Sequence, residues 1–266
     1  MATVNVTSWA EFLSAVAVAG DTVVLPEGAT WDMNSICPEG YHNDIPVSCA
    51  EIDGNGTTIK NLHLYGKFVV NNALTIDSLY LKNIVSESDH LIDKGSSTRT
   101  VTMHGCILTG ISGLQNRCVI EGPLTVTSST ISFDMTASGY GAMYFVFNTF
   151  RALYSRISIK YPLSSSTLEL SAGYAGIKFC MVNIDAPGVT AIESYTFSGC
   201  VVTGNMTNAS DTHGYYTPGY VSVYDVAAFD EEFEPDTEYF KPVTQSQLCD
   251  AQYLASIGFP IGPIGA

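Results

Sequence analysis

Basic side chains are scarce in this chain. The 266 residues include 11 lysines and arginines against 26 aspartates and glutamates, which gives a formal net charge of −15. Because binding to a phosphate backbone requires clustered Lys and Arg, this charge balance excludes a nucleic-acid partner. The same balance argues against an anionic polysaccharide held in a basic groove.

Three further absences narrow the class of protein. No apolar run reaches the length of a membrane span, so we expect no membrane insertion. The opening MATVNVTSW has neither a basic start nor an apolar core, so we expect no secretion signal. The seven cysteines include no CxxC pair, and His42, His63 and His213 lack metal-ligand spacing. We therefore expect no metal, no cofactor and reduced thiols, including Cys37 and Cys49.

What the chain has is a repeat. Between Leu74 and Asn205, six stretches read as an alternating apolar strand, a small or polar pair and a second short strand, at intervals close to two dozen residues. No apolar period of 3.6 residues accompanies them, so helical repeats are excluded. All-strand units of this length predict stacked coils that bury their apolar faces on one another. Alignment on the residue after the pair places in register Leu79, Cys106, Thr130, Arg156, Val182 and Cys200.

Both ends of the repeat region carry helix signals. Ser8 and Glu11 form a capping box that predicts a helix with Phe12, Val16 and Val18 on its apolar stripe, ended by Gly20. We expect residues 21–28 to form the first strand and turn, with the helix laid across the open sheet edge. Near the other end, the capping box of residues 244–247 predicts a short second helix.

The composition changes after Asn205, which divides the chain into residues 1–206 and residues 207–266. Residues 225–240 carry seven acids and no base, interleaved with aromatic rings. One interpretation is a strap folded back along the coils with its rings docked, and the other is a segment that docks on a partner subunit. The candidate docking residues are Tyr215, Tyr216, Phe229, Phe233, Tyr239, Phe240 and Phe259.

The order of these segments resembles a known superfamily. TSWAEFLSAVAVAGDTVVLPEG, then IDGNGTTIKNLHL, then the repeated coils are similar to right-handed parallel β-helix proteins of the pectate-lyase-like group, which also holds polygalacturonases and phage tailspikes. The ending QLCDAQYLASIGFPIG is similar to the endings of β-helix proteins encoded by bacteriophages and their hosts. The resemblance implies an all-β fold: a single-stranded right-handed parallel β-helix with an N-terminal capping helix and a C-terminal strap plus short helix.

The catalytic residues that are typical of the enzymes in this superfamily are missing from the sequence. The sequence has no calcium-binding aspartate cluster of the lyase kind and no paired aspartates with the histidine of the hydrolase kind. Arg156 and Lys160 only faintly resemble the hydrolase basic triplet, and strand alternation predicts both on the solvent face with Ile157 and Ile159 inward. A second candidate is the acidic loop of residues 87–93. If the chain is an enzyme, its candidate carboxylates are Asp89, Asp134 and Glu193.

From these observations we expect a non-enzymatic structural component of a bacteriophage particle, such as a capsid decoration, a fibre or a tail appendage. Its partners would be other virion subunits and host surface polysaccharide, and it would be assembled in the host cytoplasm and act outside the cell. A trimer and a helix-capped monomer both fit the sequence. The alternatives are a polysaccharide lyase or glycoside hydrolase of the same fold, and a secreted bacterial adhesin.

Overall fold

The computed structural model describes residues 2–88, 90–94, 99–112, 118–121, 123–134, 142–147, 149–160, 167–178, 180–198, 201–208, 220–222, 226–227, 240–242 and 250–256. The helices are α1 Trp9–Val16, α2 Met33–Ile36 and α3 Ala251–Ser256. The strands in chain order are β1 Thr3–Asn5, β2 Thr22–Val24, β3 Thr30–Asp32, β4 Ile45–Val47, β5 Glu51–Asp53, β6 Thr58–Lys60, β7 His63–Leu64, β8 Phe68–Val70, β9 Leu74–Asp77, β10 Tyr80–Lys82, β11 Val85–Ser86, β12 Ile92–Asp93, β13 Val101–His104, β14 Ile107–Ile111, β15 Cys118–Glu121, β16 Leu124–Thr127, β17 Thr130–Asp134, β18 Ala142–Phe147, β19 Thr149–Leu153, β20 Arg156–Lys160, β21 Thr167–Lys178, β22 Met181–Ser198, β23 Val201–Asn208, β24 Tyr220–Ser222, β25 Val226–Ala227 and β26 Phe240–Pro242.

The strands stack in parallel on three faces. Face A follows β2, β5, β9, β13, β16, β19, β21 and β22. Face B follows β3, β6, β10, β14, β17, β20, β22 and β23. Face C follows β4, β8, β12, β15, β18, β21 and β22, because the long strands β21 and β22 run around corners and serve more than one face. The predicted all-β parallel β-helix is therefore confirmed.

The core is built from columns of equivalent residues. On face A the inward column is Val23, Ile52, Ile76, Met103, Val126, Ala152 and Ile177, all buried. On face B it is Trp31, Ile59, Leu81, Leu108, Ile131, Ile157 and Val182, also buried. Each such aliphatic side chain contributes roughly 1.5–3 kcal/mol when fully removed from water. The period of two leaves the alternate positions for solvent, as predicted for exposed Arg156 and Lys160.

The register of the coils differs from the predicted one. Strand pairing makes Leu79 and Cys106 equivalent, as predicted, but continues the column through Ser129, Ser155 and Cys180. The prediction was one residue late at Thr130 and Arg156 and two residues late at Val182, and Cys200 lies outside the described residues. The cause is chemical. Ser129 and Ser155 occupy the buried position that Leu79 and Cys106 occupy in earlier coils. Because serine is small and polar, the sequence pattern assigns it to the small pair that precedes this position.

Helix α1 packs at the N-terminal end of the stack. The Ser8 hydroxyl accepts from the Glu11 amide at 3.3 Å, and the Glu11 carboxylate reaches back to the Thr7 amide at 2.7 Å. Phe12 and Val16 are buried as predicted, but Val18 is 51 % exposed, because the helix ends at Val16, before the predicted stop.

Aromatic rings join this helix to the first coil. The rings of Trp9 and Phe12 lie 6.3 and 5.9 Å from the ring of Trp31 on β3. The predicted strand in residues 21–28 is present as β2, but it does not form the sheet edge. Strand β1 pairs parallel with it, from Thr3 opposite Thr22 to Asn5 opposite Val24.

At the far end the strand direction changes. Strand β24 pairs antiparallel with β23, β26 pairs antiparallel with β24, and β25 pairs antiparallel with β22. Helix α3 follows, and the Asp250 carboxylate accepts from the amides of Gln252 and Tyr253 at 2.9 and 3.1 Å. The predicted capping box of residues 244–247 lies outside the described residues. The two-part division of the chain stays a prediction.

Candidate functional site

A small two-stranded sheet sits between faces B and C and carries a cluster of outward side chains. Strands β7 and β11 pair parallel, with His63 opposite Val85 and Leu64 opposite Ser86. Leu64 and Ser86 are fully buried, so the alternating residues on either side of them point outward. The Glu87 amide donates to the Leu64 carbonyl at 2.9 Å, which extends the ladder one residue further.

The preceding coil adds a third layer to this sheet. The Tyr41 amide donates to the His63 carbonyl at 2.7 Å, and the Tyr65 amide donates to the Tyr41 carbonyl at 2.8 Å. This pairing sets His42 beside Tyr65, one coil apart. Backbone hydrogen bonds across the coils thus bring together side chains that lie far apart in the sequence.

We define the imidazole–tyrosine patch as His42, His63, Tyr65 and Glu87. The rings of His42 and Tyr65 are stacked face to face, with centroids 4.2 Å apart and an interplanar angle of 3°. The ring of His63 lies on the same tyrosine at 4.3 Å, tilted by 34°. His63 Nε2 is 2.8 Å from Glu87 Oε1. Tyr65 remains 38 % exposed, so part of its side chain stays in contact with water although two imidazoles contact its ring.

Two glycines hold the loop of residues 40–44 close beneath this patch. Gly40 has a φ of 80°, and a Cβ added there would lie 2.8 Å from Tyr65 Cε2. A Cβ on Gly66 would lie 2.6 Å from the backbone carbonyl of Asn43. Only glycine permits this approach, so the glycines set the position of the Tyr65 ring.

The patch has the chemistry of a sugar-contact surface. The exposed part of the tyrosine ring offers apolar surface, while the imidazoles and the carboxylate offer hydrogen-bond donors and acceptors around it. The stacked tyrosine separates the two imidazoles, and within the described ranges no three His, Cys, Asp or Glu side chains converge as metal ligands would. The groups of the patch can pack against an organic ligand and hydrogen-bond to it.

Two of the candidate carboxylate residues lie on strands of different faces. Asp134 ends β17 on face B, where its carboxylate is 3.9 Å from Lys160 Nζ. Glu193 belongs to the part of β22 that pairs with Ser171 on face C. The third candidate, Asp89, lies outside the described residues. Their catalytic role stays a prediction.

The acidic loop of residues 87–93 is tied to the coil before it. Glu87 pairs with His63, and the Asp93 carboxylate is 2.5 Å from Lys67 Nζ. Lys67 also donates its amide to Asp44 at 3.1 Å. Two acids of the loop, Glu87 and Asp93, thus take part in contacts between coils, and a catalytic role of the loop stays a prediction.

Of the predicted docking residues, Phe240 is the one within the described ranges. It starts β26 and pairs with Ser222 of β24. The remaining candidates lie outside the described residues, namely Tyr215, Tyr216, Phe229, Phe233, Tyr239 and Phe259. Docking on a partner stays a prediction.

Cys37, Cys49, Cys106 and Cys180 form no disulfide bond. Burial raises the pKa of Cys49 and of Cys106 to about 11, because the interior disfavours the thiolate. Cys37 is only partly buried and donates its thiol to the Gly40 carbonyl at 3.0 Å. Cys49 and Cys106 are thus packing residues rather than nucleophiles.

Sequence reasoning missed the imidazole–tyrosine patch. The repeat that is visible in the sequence begins at Leu74. In the structure, the stacked coils extend back to the segment that contains His63 and Tyr65. Val85 pairs with His63 and Ser86 with Leu64, so the next residues, Tyr65 and Glu87, are also equivalent positions of successive coils. Extending the register to this earlier region would have placed the patch residues together.

No protein-family model, curated protein or solved structure matches the chain. Among the described residues, no helix is both long and apolar enough to cross a membrane. What the structure defines is the class: a parallel β-helix protein with an aromatic and imidazole patch on its flank.

Proposed function

We propose that this chain is a non-enzymatic structural and adhesive component of a bacteriophage particle, a capsid decoration, fibre or tail appendage that contacts host surface glycans. The observation that carries the glycan contact is the stacking of His42 on the exposed ring of Tyr65. The assignment to a phage particle is supported by the resemblance of the coils and of the C-terminal segment to phage-encoded β-helix proteins. A stack of coils suits this role because it presents side chains at fixed spacing along a rigid surface.

The patch favours a neutral hexose as the group in contact. The two imidazoles immobilise the tyrosine, so little side-chain entropy is lost when a sugar ring packs on the part of the ring that stays exposed. Glu87 and His63 then stand at the edge of that ring, where sugar hydroxyl groups donate and accept hydrogen bonds. An exposed flat ring with polar neighbours binds at modest affinity, which suits repeated contact by many copies on one particle.

The test of the glycan contact is binding to an array of neutral hexose oligosaccharides, followed by calorimetry with the best ligand. Tyr65→Ala should weaken binding about tenfold, since it removes the exposed aromatic surface of the patch. Tyr154→Ala is the matched control, because Tyr154 is 36 % exposed but lies outside the patch. Equal binding by the wild type and Tyr65→Ala would overturn the proposal.

The same experiment separates adhesion from catalysis. We expect the oligosaccharides to be recovered intact after prolonged incubation with the protein, as judged by chromatography of the products. Appearance of shorter products would favour the lyase or hydrolase alternative, and variants of Asp134 and Glu193 would then identify the acid and base.

The particle assignment has a separate test. Antibodies against the chain should decorate intact phage particles at regular positions in electron micrographs. Purified particles that carry no label, together with label on the surface of bacteria that hold no prophage, would favour the secreted adhesin instead.

A further inference from the structure

Face B carries an open groove in later coils than the imidazole–tyrosine patch, which lies between faces B and C. Its outward residues form two parallel columns over three successive coils, on β17, β20 and β22. One column is Thr130, Arg156 and Met181, and the other is Ser132, Ser158 and Asn183. An open groove of about 270 Å³ runs between these columns along the stack, with the strand backbones as its floor.

Charge distinguishes this groove from the rest of the molecule. The whole chain carries −15, but the strand segments that form the groove, residues 130–134, 156–160 and 181–185, hold two bases and two acids, so the acidic excess lies elsewhere in the sequence. The bases are Arg156 and Lys160, and the acids are Asp134 and Asp185. Salt screens charges beyond about 8–10 Å at physiological ionic strength, so the local balance governs what the groove attracts.

Arg156 is the cation placed to recognise a ligand there. Its side chain is exposed at the wall of the groove, whereas Lys160 on the same strand is 3.9 Å from the Asp134 carboxylate. Among the described residues, the structure gives the Arg156 guanidinium no acidic partner. A planar guanidinium without a carboxylate of its own is the side chain best suited to bind a carboxylate in two parallel hydrogen bonds.

The rest of the groove fits a polyhydroxylated ligand better than a peptide. Ser132, Ser158 and Asn183 line one side, and their hydroxyl and amide groups both donate and accept hydrogen bonds. Asn183 Nδ2 already lies 3.5 Å from Ser158 Oγ, so these groups are close enough to share one ligand. A peptide would bind most strongly by adding a strand, but the backbone of β20 is already paired on both sides.

We propose that this face B groove binds a carboxylate-bearing oligosaccharide, with Arg156 gripping the carboxylate and Ser132, Ser158 and Asn183 contacting sugar hydroxyl groups. The sequence-wide argument against anionic polysaccharide fails here because it averages the charge over the whole chain. The groove is independent of the imidazole–tyrosine patch, so one site can exist without the other.

The probe is a hexasaccharide of alternating glucuronate and N-acetylglucosamine, compared with its carboxyl-reduced counterpart, in titrations with the full chain. We expect the acidic form to bind more tightly than the reduced form, and Arg156→Gln to weaken the acidic form about tenfold. Arg156→Gln should leave binding of the reduced form unchanged. Arg151→Gln is the matched control, since Arg151 is exposed in the same coil but stands on face A.

Each of the other outcomes is informative. Equal weakening by Arg151→Gln and Arg156→Gln would show that only long-range charge matters, and it would overturn the proposal. Failure of the acidic hexasaccharide to bind, or binding only of a peptide rich in Asp and Glu, would also overturn it. Tyr65→Ala should leave this titration unchanged, so failure of the imidazole–tyrosine patch and failure of the groove are distinguished by separate variants.

Discussion

The two corners that follow face A and face B behave differently along the stack. The corner from face A to face B is a single left-handed residue followed by a buried side chain, repeated from coil to coil. The left-handed residues are Ser78, Gly105, Ser128 and Tyr154, with φ of 47°, 59°, 49° and 49°. The corner from face B to face C also begins with left-handed residues, Asn61 and Asn83, but then leads into the segments that carry the imidazole–tyrosine patch.

The first corner contains a hydrogen-bonded ladder inside the protein. Ser129 Oγ accepts from the Cys106 amide at 3.0 Å, and Ser155 Oγ accepts from the Ser129 amide at 3.2 Å. Each hydroxyl also donates to a carbonyl of its own coil, Thr127 for Ser129 and Leu153 for Ser155. Both serines are fully buried, so every coil depends on the next for satisfied polar groups. The hydrogen bonds of the corner from face A to face B hold successive coils in register. The corner from face B to face C instead carries the exposed side chains of the imidazole–tyrosine patch.

The largest effect should come from crowding the first corner. A Cβ on Gly54 would lie 2.5 Å from the Leu79 Cα atom, so Gly54→Ala should cost about 3 kcal/mol of unfolding free energy. Urea unfolding followed by circular dichroism measures the loss. Gly28→Ala is the control: it has a φ of 60° and open space around it, so backbone strain alone should cost about 1 kcal/mol. If the Gly54 variant were no less stable than the Gly28 variant, the close approach of Gly54 to Leu79 would not limit stability.

Alkaline pH should weaken the same corner. The pKa of Cys106 is raised from 9.0 to about 11 in the folded state, so the folded protein holds this proton more tightly than the unfolded chain. The resulting stability is complete below pH 9 and is lost as the pH rises through about 11, on the order of 2 kcal/mol. Urea unfolding at rising pH should show this decline. Cys106→Ser should show a shallower decline, because serine does not titrate there, and an unchanged slope would contradict the assignment.

A smaller effect should follow from removing one rung of the ladder. Ser155→Ala leaves the buried Ser129 amide without its acceptor, so we expect a loss of about 1–2 kcal/mol in urea unfolding. Ser158→Ala is the matched control, since Ser158 lies three residues on and faces outward on face B. The two variants should therefore differ clearly. Equal stability would mean that the ladder does not hold the coils together.

The same contrast explains which features the sequence could predict. The repeated alternation from Leu74 onward reflects burial on one side of each strand, and burial is a local property of a strand, so the coil architecture was predictable. The exact register was not, because Ser129 and Ser155 fill a position that Leu79 and Cys106 fill in earlier coils. Side chains as different as serine and leucine are tolerated there, since serine satisfies its hydroxyl group within the ladder.

The candidate site depends on contacts that no single segment encodes. His42 stacks on Tyr65 only because the loop of residues 40–44 passes close to Gly66. Each patch residue taken alone resembles an ordinary exposed side chain. The groove on face B was partly visible, because alternation correctly placed Arg156 and Ser158 on one side of β20. Its second and third strands became apparent only from the register.

The smallest effect on stability should come from the patch itself. The pair between Glu87 and His63 is exposed, at 42 % and 37 % of the side chains, so Glu87→Gln should change the unfolding free energy by about 0.5 kcal/mol or less. Lys60→Gln is the matched control, since it breaks a similarly exposed pair with Asp32 outside the patch. Only Glu87→Gln should weaken the binding of neutral hexose oligosaccharides. If Glu87→Gln instead destabilised the fold as much as Ser155→Ala, the corner from face B to face C would also hold the coils together. The proposed difference between the two corners would then be wrong.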